Sequence, residues 1–379
     1  MSQSNHAQEE ILRQFGELIC RISTGETLTR EETSEAYRQV ILNEQPELQQ
    51  GAFLMSHFTR VPTTEELMGV WDALDRFDAV KIRVDVSGPV CDIAGTGSSA
   101  LKTVNCFLPA AFIAAACGLT IAKKGSRHVT GIAGESDIME YFGLDLSCDI
   151  KGIEESLTRF KICYIPSERF LPSSWARLVK SIRFTSAFNI VGPTTRLCRN
   201  TDTMVIGGYA PHICNQLISV LRETGMTAAL ASYGLVKGIG MNKGMDEFSP
   251  AGQTRVVELR GTNIKTYNVA PEDFGIKLCS FGDIACRGTI EENAEEIIKV
   301  LKGACDTPLA DFFCMNAAAA LYISNKSASY REGVELARQA LISGKAYEKL
   351  EQVLATQGRR RCDRSPDDCV PACPPQNVS

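Results

Sequence analysis

Cys91-Asp92-Ile93-Ala94-Gly95-Thr96-Gly97-Ser98-Ser99-Ala100-Leu101-Lys102-Thr103-Val104-Asn105 is the stretch on which the fold turns. It reads as a short buried strand, a glycine-bearing turn, and a helix that begins near Thr103. Such a turn lets backbone N–H groups approach an anion, with the positive end of the helix dipole behind them. The next strand, residues 119–122, runs into Lys123-Lys124-Gly125-Ser126-Arg127, and Asp246-Glu247 follows far downstream. A phosphate cradle, a cationic loop and a paired carboxylate point to a substrate with several phosphates and a hard metal ion. Mg²⁺ suits that pattern because it takes one or two carboxylates together with phosphate oxygens.

Outward from this stretch, strand-like runs at residues 81–86 and 119–122 alternate with helical ones at 108–117 and 135–142, which predicts a parallel sheet covered by helices. Residues 148–163 supply a further helix and a strand. The alternation resumes with a strand at 203–207, a helix at 212–222 and a strand at 228–233, leading into the glycine-rich segment 234–244. Residues 255–259 and 263–267 read as an antiparallel hairpin turning at Arg260-Gly261, and 292–354 as three helices. Before residue 81 the chain reads as helices alone. Residues 10–22 are amphipathic, while Thr29 with Glu32 and Thr63 with Glu66 form capping boxes at helix starts. Pro46 and Pro62 mark the joints.

The expectation is therefore an α/β protein. A small all-helical N-terminal domain (residues 1–75), joined by a segment near 165–190, precedes a large α/β domain (76–164 and 191–356) with a central, mostly parallel sheet flanked by helices. The joining segment includes an arginine-containing helical stretch at 172–183. Residues 357–379 read as a disordered tail, rich in Arg, Asp, Pro and Cys beyond residue 358. Cys362, Cys369 and Cys373 there do not match a zinc spacing.

Composition sets limits. The 379 residues carry 40 basic and 45 acidic side chains, a net charge of −5, so nothing favours a nucleic-acid surface and any anion site must be a local pocket. The 15 cysteines lack regular spacing and read as free thiols in a reducing compartment. Residues 1–10 are polar with no apolar signal segment. The longest apolar run, 106–119, contains Pro109 and Gly118 and is too short for a bilayer. A cytoplasmic protein with no membrane partner is expected.

The glycine turn also fits Gly95-x-Gly97-x-x-Ala100, a dinucleotide-binding turn, but the ribose-binding acid expected about twenty positions on is replaced by Lys123, Lys124 and Arg127. Only a phosphorylated ribose would suit them, which leaves an NADP-dependent enzyme as one alternative. A Walker A loop fails, because Lys102-Thr103 stands one residue too far from Gly95 and Ala100 replaces the second glycine. The histidines at 6, 57, 128 and 212 show no ligand spacing, and only His128 adjoins the site.

Taken in order, the motifs resemble the anthranilate phosphoribosyltransferase family, within the wider nucleoside phosphorylase and glycosyltransferase group. The carriers are GTGSSALKTVNCFL, KKGSR, GESDIMEYFG (134–143), FNIVGP (188–193), GMDE (244–247), PEDFG (271–275) and NAAAALY (316–322), spread over residues 10–354. The resemblance implies Mg²⁺, 5-phosphoribosyl diphosphate as donor, anthranilate or a related small aromatic or amine acceptor, a cleft between the two domains, and usually a homodimer. It implies substrate contacts from Gly95, Thr96, Gly97, Ser98, Ser99, Lys102, Thr103, Asn105, Lys123, Lys124, Gly125, Ser126 and Arg127, and metal binding by Asp246 and Glu247. Arg177, Lys180 and Arg183 are candidates for the acceptor carboxylate, with Arg177 put forward.

Departures from the family pattern cluster in the donor site. Ser98-Ser99-Ala100 replaces Gly-Asp-Gly, Phe107-Leu108 replaces Ser-Thr, Lys124-Gly125-Ser126 replaces His-Gly-Asn, and Gly131 replaces a serine. Each hydroxyl lost from phosphate removes about 1.5–3 kcal/mol of hydrogen bonding, and Lys124, with Lys237 or Lys243, is expected to offset this with charge. A specialised donor or acceptor, a nucleoside phosphorylase-like activity, echoed in Lys102-Thr103 and residues 127–131, and a catalytically silent binding relative remain as alternatives. No side-chain nucleophile is expected.

Overall fold

The computed structural model describes residues 2–358, with side chains from Glu9 onward, apart from residues 129–130, 179–180 and 241. Four helices open the chain: α1 (Ser2–Ser23), α2 (Arg30–Ile41), α3 (Glu47–Thr59) and α4 (Thr64–Phe77). Both expected capping boxes are present, with Thr29 and Thr63 each accepting from the backbone N–H of the glutamate three residues on. Each satisfies two N–H groups that the first helical turn leaves without partners.

The α/β part comprises β1 (Val90–Gly95), α5 (Phe107–Ala116), β2 (Thr120–Gly125), α6 (Glu135–Tyr141), α7 (Ile150–Phe160) and β3 (Ile162–Pro166). The short helices α8 (Ser167–Phe170), α9 (Trp175–Leu178) and α10 (Ala187–Val191) follow. Then come β4 (Thr201–Gly207), α11 (Pro211–Glu223), β5 (Ala228–Gly234), β6 (Thr254–Arg260) and β7 (Asn263–Val269), and finally α12 (Phe281–Ile284), α13 (Ile290–Leu301), α14 (Pro308–Ile323), α15 (Tyr330–Ile342) and α16 (Lys345–Gln357). The seven strands form one sheet in the order β3-β2-β1-β4-β5-β6-β7. It is parallel from β3 to β5 and antiparallel at β6 and β7, so the sheet is mostly parallel as expected.

Period-two alternation divides each strand between two cores. On β1, Cys91 and Ile93 join the core formed with α5 and the C-terminal helices, whereas Val90 and Ala94 join the core shared with α2, α4, α7 and α11. Helix α5 is apolar all round, and every residue from Phe107 to Ala115 is buried. A helix hydrophobic on every face belongs in an interior.

Four expectations are corrected. Residues 81–86 make only a single parallel bridge, Ile82 to Cys198, because the segment pairs with the loop before β4 and not with the sheet. The helix after the glycine turn starts at Phe107 and not near Thr103. Thr103 instead bridges Ala285, and the Cys286 and Val104 amides donate to Lys102 and Ile284 carbonyls, which keeps the chain extended. Of residues 172–183, only Trp175–Leu178 is helical among those described. Among the described residues, 292–354 run through four helices and not three, with Gly344 at φ +73° dividing α15 from α16.

Gln357 is buried and binds both backbone groups of Tyr164, so the first residue of the expected tail is part of the core. The remainder of that tail beyond Gly358, with Cys362, Cys369 and Cys373, lies outside the described residues. The described cysteines carry free thiols. No helix among the described residues is long and apolar enough to cross a membrane.

Candidate active site

A cleft of about 200 Å³ opens at the carboxyl ends of β1 and β2, and its far wall comes from α9 and α10. Open parallel sheets present their ligand crevices at that end. The glycine turn forms the floor. Gly97 takes φ +70°, a left-handed conformation that a side chain would strain. Its N–H donates to Asp246 Oδ2 at 3.1 Å, and Ser99 Oγ donates to Asp246 Oδ1 at 2.6 Å. Thr103 Oγ1 donates to Glu247 Oε1 at 2.6 Å. The turn and the acidic pair, separated by nearly 150 residues of chain, therefore meet.

Packing makes this approach possible. A Cβ on Gly95 would lie 2.3 Å from Asp246 Oδ2, and one on Gly207 would lie 2.2 Å from the Asp246 carbonyl. Gly95→Ala is expected to lower stability in urea unfolding by about 1–3 kcal/mol through overpacking and to weaken cation binding, since Asp246 must retreat. Gly51→Ala, at a helical position with open space, is the control expected to gain up to about 1 kcal/mol. Equal midpoints for the two variants would contradict the close approach.

Asp246 and Glu247 are both nearly buried. Burial, and secondly the adjacent Asp246 charge, pushes the Glu247 carboxyl up to about 8. Its Oε2 is buried with no hydrogen-bond partner. Two neighbouring carboxylates with an orphaned oxygen make a site that a cation would stabilise.

The cationic loop differs from expectation, because each of its cations is matched to a carboxylate. Lys123 Nζ pairs with Glu135, and burial raises that carboxyl while Lys123 only partly offsets it. Lys124 Nζ lies 2.6 Å from Asp92 Oδ2 and donates to the Thr195 carbonyl at 2.9 Å. Burial outweighs Asp92 and holds the Lys124 ammonium below its usual value. Arg127 binds Asp137 at 2.9 Å and Glu140 at 2.8 Å. The proposed offset of lost hydroxyls by lysine charge is therefore not built: Lys124 is neutralised, and Lys237 and Lys243 are exposed and do not border the cleft.

Gly95, Thr96, Gly97, Ser99, Lys102, Thr103, Asn105, Lys124, Gly125, Ser126 and Arg127 all border the cleft with Asp246 and Glu247. Asn105 Nδ2 donates to the Ala133 carbonyl, and Lys102 Nζ to the Gly97 carbonyl at 3.0 Å. Ser98 lies to the side with its Oγ accepting from Thr185 Oγ1 at 3.0 Å, and Lys123 is buried outside the lining, paired with Glu135, which itself borders the cleft. Arg177 does not reach the cleft. Its guanidinium donates to the Val40 carbonyl and to Gln50, tying α9 to the N-terminal helices. Arg183 is exposed and outside the lining, and Lys180 lies outside the described residues.

Phe107 borders the cleft and Leu108 is wholly buried beneath it. Two hydroxyls that do border the cleft, those of Ser99 and Thr103, donate to the acidic pair. The sequence reading overlooked Asp92, Glu135, Asp137 and Glu168, all close to the basic loop. For Glu135 and Asp137 the one signal was an acidic count over residues 123–140 that equals the basic one; Asp92 and Glu168 lie outside that stretch.

Two family models match. One, described as the glycosyl transferase family, a/b domain, covers residues 87–347, and the other, the helical bundle domain of the same family, covers residues 16–77. The anthranilate phosphoribosyltransferase of Nitrosopumilus maritimus is 30% identical over 348 residues, covering 91% of this chain and 97% of the relative. The chain belongs to the anthranilate phosphoribosyltransferase family. Its members are pentosyltransferases, and the Methanobrevibacter smithii one is 31% identical over 340 residues, covering 89% of this chain and 98% of its own. Among solved structures, the anthranilate phosphoribosyltransferase from Thermus thermophilus superposes with a TM-score of 0.78 at 29% identity, covering 89% of this chain and 98% of that one. The Saccharomyces cerevisiae enzyme in complex with PRPP and Mg gives 0.73 at 21% identity, covering 87% and 93%, and shares the fold.

Proposed function

We propose that this chain transfers a phosphoribosyl group from 5-phosphoribosyl diphosphate to anthranilate or a related small aromatic acceptor, with Mg²⁺. The observation that carries the reading is the meeting of the glycine turn with Asp246 and Glu247 in one cleft. The names of the matched relatives support the same reading.

The residues present fit a divalent ion. Asp246 and Glu247 would hold it, with the orphaned Glu247 Oε2 as the free donor atom. Among the described residues no group of three or more His, Cys, Asp or Glu side chains is placed to hold a metal, and Mg²⁺ commonly takes only one or two carboxylates beside substrate oxygens. When bound, Mg²⁺ would supply charge neutralisation of the diphosphate leaving group.

The protein's own part is positioning. The glycine turn, residues 95–99, floors the cleft beside the acidic pair, where the phosphates would lie. Asn105 and Arg127 border the space left for the pentose, and Trp175 and Phe188 supply an apolar wall for a planar acceptor. Holding both substrates in line replaces a bimolecular encounter, and the sugar passes through an oxocarbenium-like state that needs no protein nucleophile. A donor with fewer phosphates is the second reading, favoured by the carboxylate matched to each loop cation.

Isothermal titration with 5-phosphoribosyl diphosphate should give binding heat in Mg²⁺ and little in EDTA. Asp246→Ala is expected to weaken it by at least about 100-fold, the loss of a charged contact of roughly 3 kcal/mol. Anthranilate fluorescence should decay when both substrates are present. Heat from ribose 1-phosphate but none from the diphosphate would shift the assignment to the second reading. No heat from either would end both.

A further inference from the structure

The cleft contains a polar pair, His128 and Asp137, beyond the glycine turn and the acidic pair. His128 borders the cleft, and its Nδ1 lies 2.7 Å from Asp137 Oδ2. The Asp137 carboxylate is nearly buried and also accepts from the backbone N–H groups of His128 (3.1 Å) and Gly134 (2.9 Å) and from the Arg127 guanidinium (2.9 Å). Burial works against its charge, yet the bonds from His128, Gly134 and Arg127 together hold this carboxyl below its ordinary value.

An ionised carboxylate can only accept, so His128 Nδ1 carries the hydrogen, which leaves Nε2 as the ring atom that can take a proton. The imidazole side chain is 37% exposed, against 5% for Asp137, so the ring is open to the cleft while its partner is fixed. The same cleft carries the apolar side chains of Ile132, Trp175 and Phe188, which suit a flat aromatic molecule. A loop histidine without a function would need neither a carboxylate locked by three other donors nor a place beside that wall.

We infer that His128 is the general base toward the acceptor, with Asp137 as its positioning residue. As a lone pair on the acceptor nitrogen or oxygen bonds to C1 of the pentose, the C1–O bond breaks and its electron pair leaves with the diphosphate. The acceptor's N–H or O–H proton passes to His128 Nε2 and then to solvent. This rests on the pentosyl-transfer reading and narrows it. The acceptor is an aromatic N–H or O–H nucleophile that must give up a proton, and not a carboxylate that arrives already charged.

The test uses the full chain with 5-phosphoribosyl diphosphate and Mg²⁺ against anthranilate, salicylate and benzoate, with products followed by mass spectrometry and donor affinity by titration. Transfer to anthranilate or salicylate, but not to benzoate, is expected. His128→Ala and His128→Asn should lower kcat by about 10²–10⁴-fold while leaving the donor Kd within about twofold, and added imidazole should restore at least a tenth of the lost rate in His128→Ala. Asp137→Asn should lower kcat, and any change in its donor Kd reports on Arg127, which Asp137 also anchors. Wild-type kcat in either His128 variant, or a loss that imidazole does not restore, overturns the assignment. So does a wild-type protein that binds donor yet neither transfers nor hydrolyses it. Absence of donor binding in the wild type, read separately by the titration, removes the pentosyl-transfer reading and this one with it.

Discussion

In metal-free protein, Glu247→Gln is expected to melt with the wild type near pH 4.5 and well above it at pH 8. The Glu247 carboxyl is pushed up to about 8, first by burial and then by Asp246, whereas in the unfolded chain it titrates near its ordinary value of 4.5. Between those values the folded state holds a proton that the unfolded state has lost. Unfolding then releases a proton, so stability falls as pH rises through the window 4.5–8. Glutamine mimics the protonated acid and can keep the bond from Thr103, so it does not share the fall. The difference at pH 8 should be on the order of 3–5 kcal/mol, visible as several degrees in differential scanning fluorimetry. Saturating Mg²⁺ should raise the wild type more than the variant, because a cation favours the ionised pair. The variant should also lose most transfer activity. Melting curves that stay parallel from pH 4.5 to 8 would show that Glu247 is not the strained group described above.

The backbone was largely legible because its signals are local. Thr29 with Glu32 and Thr63 with Glu66 close their own boxes within four residues, and β1, β2, β4 and β5 are bounded by glycines and apolar runs that need no distant partner. Thr103 was misread for the opposite reason. Its extended conformation depends on a bridge to Ala285, almost two hundred residues away, and no helix propensity near Lys102 records that. The site shows the same division. Residues 95–97 and the pair at 246–247 were readable from type and order, but not that Ser99 and Thr103 would each hand a hydroxyl to one member of the pair. Charge state was the least legible property. Lys123, Lys124 and Arg127 look like an anion-binding loop in sequence. Each is answered by a carboxylate from another element: Asp92 on β1, Glu135 and Asp137 on α6. Arg177 failed similarly, since its reach to Val40 and Gln50 is a property of how the N-terminal helices sit against α9.

Asp92→Asn should cost about 3–5 kcal/mol by urea unfolding. Lys124 and Asp92 are both nearly buried, and Lys124 Nζ has the Asp92 carboxylate at 2.6 Å as its counter-charge and the Thr195 carbonyl as a further acceptor. Removing the carboxylate leaves an ammonium with no opposing charge in a place where burial already disfavours the charged form. Lys124→Met should cost a similar amount, because Asp92 then becomes the unpaired ion. The double variant Asp92→Leu/Lys124→Met removes both charges at once, and replacement of a buried pair by apolar side chains is often close to neutral. It should recover most of the loss. Additive losses in the double variant would mean that the two side chains are not paired in solution. The same series separates two roles for Lys124. If its charge served the donor's phosphates, the double variant would stay folded yet lose donor affinity in titration. The geometry predicts a donor Kd within a few-fold of wild type, because the ammonium spends its charge on Asp92, behind the glycine loop, and contributes to the cleft through the shape of β1 and β2 that it locks together.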